Sequence, residues 1–464
     1  MNRKPKAALL PLYIELYDKV VPQARAALES FLRSVAGALS AQGIDVDTCP
    51  VCRLEPEFRE AVARIDADAA DIIITLHLAY SPSLESIDAL VQSPLPILIL
   101  DTTPDAAFGT DVDPALIMNN HGIHGVQDLA CMLRRRGRHY EIVAGHWETS
   151  AAIARAADIA RAAYAAKRLR HTRALRIGDA FRGMGDFSVN ENVLRDVLDV
   201  AVTQIAPQDL APYAAGVTDE MVDAEMAADR ARFDVVAAED VHRRSVLLGL
   251  ALRRCLDEHR ADAFSANFLA FDSAADPVGT VPFLEISKAM ARGIGYAGEG
   301  DVLTAALVGA LLAGFEQTTF TEIFCPDWSG GTLFLSHMGE INPAIAAGKP
   351  VLREKDFPYT AARNPAFITC APAPGPATFV NLAPGPQDSF RLIVAPVDVL
   401  GDATNPKMHE SIRGWIRPRR GVVGFLEEFS RLGGTHHSAL VLGSRAESIA
   451  AFARFAGLEP RIID

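Results

Sequence analysis

At 464 residues with 49% hydrophobic content, the chain can bury more than one core, so two or three domains are expected. A formal net charge of −13 excludes nucleic acid or an anionic membrane surface as the main partner. Six scattered cysteines make no disulfide framework, and the one close pair, Cys49-Pro-Val-Cys52, lacks the second pair of a zinc site, leaving free thiols in a reducing cytosol.

The basic start, Met1 to Lys6, resembles the opening of a signal peptide. The apolar run behind it is broken by Pro11 and Glu15, no later run is long enough to span a bilayer, and a cytoplasmic protein is expected. Short apolar runs at 6–14, 70–78, 95–101 and 140–144 alternate with helical patterns near 21–42, 56–66, 84–92 and 122–136. Strands apolar on both faces, alternating with helices, predict a doubly wound parallel sheet over residues 1–171, with functional groups where strands end. His77, Asp101, His121, His124 and His146 occupy such places, although histidines there also serve as helix caps or buried backbone partners.

A second alternating segment, 172–314, starts at Ala174-Leu-Arg-Ile-Gly-Asp and carries a helix near 190–200, a charged helical region at 219–258 and the apolar piece Ala263–Phe268. From 315 to 464 the texture changes to short runs broken by Pro, Gly, Asn and Asp, which predicts a β-rich, barrel-like closing domain. The fold class is therefore α/β: two doubly wound domains followed by a barrel.

Gly293-Ile-Gly-Tyr-Ala-Gly298 satisfies the dinucleotide-binding string, but the residues before it read as a helix ending at Gly293, where that motif requires a strand. The same stretch continues as Gly298-Glu-Gly-Asp301, with Asp301 as the N-cap of an apolar helix over 302–315. Phe320-Thr-Glu322 and Leu335-Ser-His-Met338 follow. Glu299, Glu322 and His337 thus fall in one short segment among glycines and strand-like residues, a pattern that suits a metal site better than three solvated loop residues. Gly433-Gly-Thr-His-His437 is by itself either an exposed turn or a ligand source.

Taken together, Ala297-Gly-Glu-Gly-Asp301, Phe320-Thr-Glu322, Ser336-His-Met338 and Gly433-Gly-Thr-His-His437 resemble the L-arabinose isomerase family, which is related in fold to L-fucose isomerase. The resemblance implies a metal-dependent aldose–ketose isomerase working through an enediol or enediolate. One divalent ion, Mn²⁺ with Co²⁺, Fe²⁺ or Mg²⁺ as alternatives, would be held by Glu299, Glu322, His337 and His437. The two glutamates would also be the catalytic acid and base. The substrate-binding set it implies is Tyr80, His124, Ser265, Phe268 and His436, with Tyr80 and His124 reaching the sugar of a neighbouring subunit in a trimer or hexamer. The chain departs from the family at Leu12-Tyr-Ile-Glu-Leu-Tyr-Asp18 and at His121, positions that touch the sugar, so the particular aldose stays open. The competing reading is a catalytically silent sugar-binding or regulatory relative of the same fold.

Overall fold

The apolar runs near the N-terminus become strands buried on both faces: β1 (Lys6–Leu12), β3 (Ile72–His77) and β4 (Ile97–Asp101). With β2 (Asp45–Thr48) and β5 (Glu141–Ala144) they form a parallel sheet in the order β2-β1-β3-β4-β5. Helices Glu55–Ala67, Ser83–Gln92 and Ile123–Arg135 cover one face through a core that includes Leu10, Phe58, Ile65, Ile73, Leu90, Ile99 and Leu129. β2 was not foreseen, because Asp-Val-Asp-Thr is a polar, partly exposed edge strand with no hydrophobic run.

The computed structural model describes residues 3–464 and divides into two units, one ending at Tyr164 and one running from Ala165 to Asp464. The second unit opens with another parallel sheet, β6 (Arg173–Ile177), β7 (Ala201–Ile205), β9 (Ala263–Ala266) and β10 (Gly295–Gly298), in the order β10-β9-β6-β7. The single helical region expected over 219–258 is two helices, Asp219–Arg232 and Glu239–Glu258, separated at Phe233 by the short β8 (Asp234–Val235).

β11 (Thr318–Asp327), β12 (Thr332–Ser336), β15 (Gly375–Pro384), β16 (Phe390–Val399), β17 (Gly414–Pro418) and β18 (His437–Leu442) make the antiparallel barrel, in the order β15-β18-β11-β12-β17-β16. The ten-residue β15–β16 pairing closes it, and β19 (Glu459–Ile462) adds in parallel to β16. β13 (Val351–Glu354) and β14 (Ala366–Thr369) stay outside the barrel and join β8 in a small third sheet.

Helix Val302–Phe315 ties this unit together. It is apolar on every side, which is how a helix reads when no face meets water. Accordingly it is buried almost throughout, packed between β9 and β10 on one side and β11 and β18 of the barrel on another. The glycine string lies in β10 and the turns flanking it; helix Phe283–Ala291 precedes it and no helix opens at Gly298, so the dinucleotide-binding geometry does not form. No helix among the described residues is long and apolar enough to cross a membrane.

Three helices of this unit meet through buried charge. Lys288, on Phe283–Ala291, pairs with Glu225 and with Asp229 at 2.7 Å, and Asp229 also meets His242 Nε2 at 3.0 Å. Arg253 bridges Glu225 at 2.8 Å and Glu285 at 3.0 Å. Removing one partner would strand the others in low dielectric, so the cluster specifies how these helices assemble. Burial pushes the Glu225 carboxyl up, but Arg253 and Lys288 outweigh it and bring it down to about 2. A depressed folded value means that stability from this group is complete above the ordinary carboxylate range and is lost as pH falls toward 2. The shift is of the order of ~2–3 kcal/mol. Thermal unfolding at pH 5 and pH 3 should therefore show a smaller drop in Tm for Glu225→Gln than for the parent chain; equal drops would mean that Glu225 does not carry this dependence.

Candidate metal centre and active site

β10 delivers Glu299 in an unusual backbone state. Its φ is +64°, the left-handed region that non-glycine residues seldom adopt, and its neighbour Gly300 has φ +88°. Ser265 on β9 holds this turn: its hydroxyl donates to the carbonyls of Ala297 (2.7 Å) and Gly298 (3.0 Å) and accepts from the amide of Gly300 at 2.9 Å. A side chain at Gly298 would run into the His337 ring, with its Cβ 2.6 Å from Cε1. Only glycine lets the turn and the imidazole lie this close.

Asp301 closes the turn. One carboxylate oxygen accepts from the amide of Thr304 at 2.9 Å and caps helix Val302–Phe315; the other lies 3.0 Å from His437 Nδ1. His437 opens β18 directly opposite Glu322 on β11, and Glu322 is opposite Ser336 at the end of β12. Barrel register thus brings Glu322, His337 and His437 together, while β10 supplies Glu299. His337 Nδ1 is held 2.7 Å from Glu340, which also accepts from the amide of Gly339 (2.7 Å) and the hydroxyl of Tyr296 (2.9 Å). In both imidazoles Nδ1 is committed to a carboxylate, which leaves each Nε2 facing the same space. His437 Nε2 is buried and has no hydrogen-bond partner among the described residues.

Glu299 Oε2 lies 3.6 Å from His437 Nε2, and Glu322 Oε2 lies 3.9 Å from His337 Nε2. Two overlapping sets of ligand-type atoms result, Glu322–His337–His437 and Glu299–His436–His437, each within 4.8 Å internally and sharing His437. Burial pushes the Glu299 carboxyl up, but His436, His337 and His437 hold it below the usual range, so it is ionised at neutral pH. Burial lowers His436, yet Glu299 and Asp186 outweigh this and raise it to about 9. His436 is therefore cationic at neutral pH, with Nδ1 held by Asp186 at 2.7 Å. Phe187 stacks on the His437 ring at 5.1 Å, and Phe320 sets its edge against both His337 and His437.

The expected substrate contacts fare differently. His436 stands beside Glu299. Ser265 is fully buried with its hydroxyl spent on backbone, so its place is under the Glu299 turn. Phe268 is packed among Phe181, Phe357 and Tyr359 in an aromatic cluster, and the amide of Phe181 donates to the Glu299 carbonyl at 2.8 Å. Tyr80 and His124 lie in the other unit: Tyr80 is half-buried with its hydroxyl 3.4 Å from Asp128, and His124 is exposed, next to His121, whose Nε2 meets Tyr17 at 3.1 Å. His77 is buried beneath Gly122 and Gly125, and burial pulls it down to about 4, so it is neutral. His146 caps the backbone of Glu148 and Thr149. Sequence reasoning did not find Glu340 or Asp186; an acid three residues after a histidine was the available signal for the first, and Asp186 had none.

Models of the L-arabinose isomerase N-terminal, central and C-terminal domains match residues 24–171, 173–313 and 317–459. The chain is 26% identical over 450 residues to an L-arabinose isomerase of Acidothermus cellulolyticus, covering 93% of this chain and 89% of that one. It is 26% identical over 415 residues to one of Geobacillus kaustophilus and 28% identical over 427 residues to one of Clostridium beijerinckii, in each case covering 87% of this chain and 82% of the relative.

Asp301→Ala removes a helix cap worth ~1 kcal/mol and leaves a buried imidazole N–H unsatisfied at ~1–3 kcal/mol. Denaturant titration of the metal-free protein should show a loss of about 2–4 kcal/mol; a loss under about 0.5 kcal/mol would mean that Asp301 does not hold His437.

Proposed function

The chain belongs to the L-arabinose isomerase family of aldose–ketose isomerases, and on that premise we propose that it interconverts an aldose and its ketose at a divalent cation held by Glu299, Glu322, His337 and His437. The observation that carries this reading is the buried, unpartnered Nε2 of His437, in a cluster where both imidazoles have Nδ1 committed to carboxylates. A donor set of two carboxylates and two imidazoles fits Mn²⁺, with Co²⁺, Fe²⁺ and Mg²⁺ as alternatives. Such an ion, when bound, supplies a Lewis acid for the negative charge that develops on the sugar oxygens.

The protein's own groups do the proton work. Isomerisation needs the C2 proton removed and a proton delivered to C1 through an enediol or enediolate. Glu299, kept ionised by the surrounding histidines, can accept a proton; Glu322, half-buried across the cluster, can return one. His436, cationic and adjacent to Glu299, can donate to a sugar hydroxyl. Phe187 and Phe320 wall the imidazoles with apolar surface, which limits water at the reacting carbons.

A homo-oligomer, trimer or hexamer, in which a neighbour completes the pocket agrees with the surface of the first unit. Leu16, Leu84, Phe108, Ile117 and Ile123 are exposed on segments that follow β1, β3 and β4, all at the carboxyl edge of its sheet. Tyr17, His121 and His124 lie on the same edge. Exposed apolar side chains with polar rings at the same edge suit a subunit contact.

Ketose formation from a panel of pentoses and hexoses should appear on adding Mn²⁺ to chelator-treated protein, and Glu299→Gln and Glu322→Gln should each lower kcat by roughly 10³-fold or more with the fold intact. Binding of a sugar without any turnover would instead make the chain a silent relative. Sedimentation should give a trimer or hexamer, and Ile117→Asp with Ile123→Asp should lower assembly and kcat together; a fully active monomer would exclude the shared pocket.

A further inference from the structure

Apart from the glutamate–histidine cluster, the described residues form a cavity lined by two cations, Arg353 and Lys355. It has a volume of about 420 Å³ and is lined by Val236, Arg353, Glu354, Lys355, Asp356, Phe367 and Glu410. Arg353, on β13, is paired in register with Phe367 on β14 and donates from Nε to Thr369 at 3.3 Å. The Lys355 ammonium lies 5.0 Å from the centre of the Phe367 ring. Both cations are half-buried, neither has a carboxylate within ion-pair distance among the described residues, and Phe367 between them is buried. Glu354, Asp356 and Glu410 are exposed, and Glu354 is engaged by the side-chain amide of Asn364.

The other lysines show how unusual this placement is. The chain has eight. Lys288 is buried between two carboxylates, Lys19 and Lys349 are in ion pairs, Lys6 donates to a carbonyl and Lys167 has a partner of its own. Lys4 and Lys407 are exposed. Only Lys355 combines a concave setting, an aromatic platform and the absence of a countercharge. Burial pulls its ammonium below the ordinary lysine range, with the distant Glu340 only partly opposing this. The unprotonated amine is the form that attacks carbonyl carbon, and burial favours it here.

We propose that Arg353 and Lys355 form a binding site for small aldehydes that carry one anionic group, Arg353 taking the anion and the Lys355 amine condensing with the carbonyl. The nitrogen lone pair adds to the carbonyl carbon, a proton passes from nitrogen to oxygen, and loss of water leaves a C=N bond; hydrolysis runs the same steps backwards, with no oxidant or reductant. The cavity admits a molecule of metabolite size. Its exposed acidic residues favour a single compact anion over a polyanion.

Pyridoxal 5′-phosphate followed by borohydride, with peptide mapping, tests this on the whole protein. The first equivalent of reduced label should fall on Lys355, ahead of Lys4 and Lys407, and Lys355→Arg should abolish that equivalent. Arg353→Gln should raise the concentration for half-labelling by about tenfold with the phosphate, while labelling by unphosphorylated pyridoxal changes less than about twofold. Label reaching Lys4 or Lys407 as fast as Lys355 overturns the proposal, as does an Arg353→Gln effect of equal size with both aldehydes. Mapping of the parent chain and the Arg353→Gln comparison decide the matter even if Lys355→Arg fails to fold.

Discussion

Asp301 uses one carboxylate for two purposes, and the site depends on both. It caps the buried helix that joins the central sheet to the barrel, and it takes the Nδ1 proton of His437. The helix cap sets where the chain turns out of β10, so it also sets where Glu299 stands. Because the same group holds His437 Nδ1, Glu299 from the central sheet and His437 from the barrel are locked into one geometry. Glu340 does the equivalent for His337. Such carboxylates fix the orientation of the imidazoles, and for the proposed ion that would lower the ordering cost of binding.

The electrostatics of the cluster follow from that arrangement. Several acids and imidazoles share a small, water-poor volume, where unpaired charge is expensive. His337 holds Glu340 below the usual carboxylate range against the burial that pushes it up, His436 does the same for Asp186 and the three histidines for Glu299, while Asp301 accepts from His437 Nδ1. The group left without a local partner is His437 Nε2. That unpartnered nitrogen is the observation on which the proposed cation site rests.

Much of this could be read from the chain itself. Glycines around Glu299, a helix too apolar to face water, and His-His after two glycines mark local backbone states, and local states are what sequence patterns report. Helix 302–315 formed where its pattern predicted. The polar edge strands β2 and β7 were missed because an edge strand need not be apolar, and the region 219–258 broke in two because β8 pairs with β13 more than a hundred residues away. Distance in the chain also hid Asp186 from His436; periodicity alone favoured a core place for Phe268, where it lies among Phe181, Phe357 and Tyr359. The clustered glutamates and histidines were legible through their flanking residues; the groups that aim them are set by tertiary contact.

The central claim is that four side chains from distant parts of the chain hold one cation. Pulsed electron paramagnetic resonance of the Mn²⁺-loaded protein tests it most directly, since imidazole nitrogens bound to the ion give distinct couplings. One Mn²⁺ per chain coupled to two imidazole nitrogens, with one coupling lost in His337→Gln and one in His437→Gln, is the predicted result. A bound ion with no nitrogen coupling, or couplings unchanged in both variants, would contradict the account.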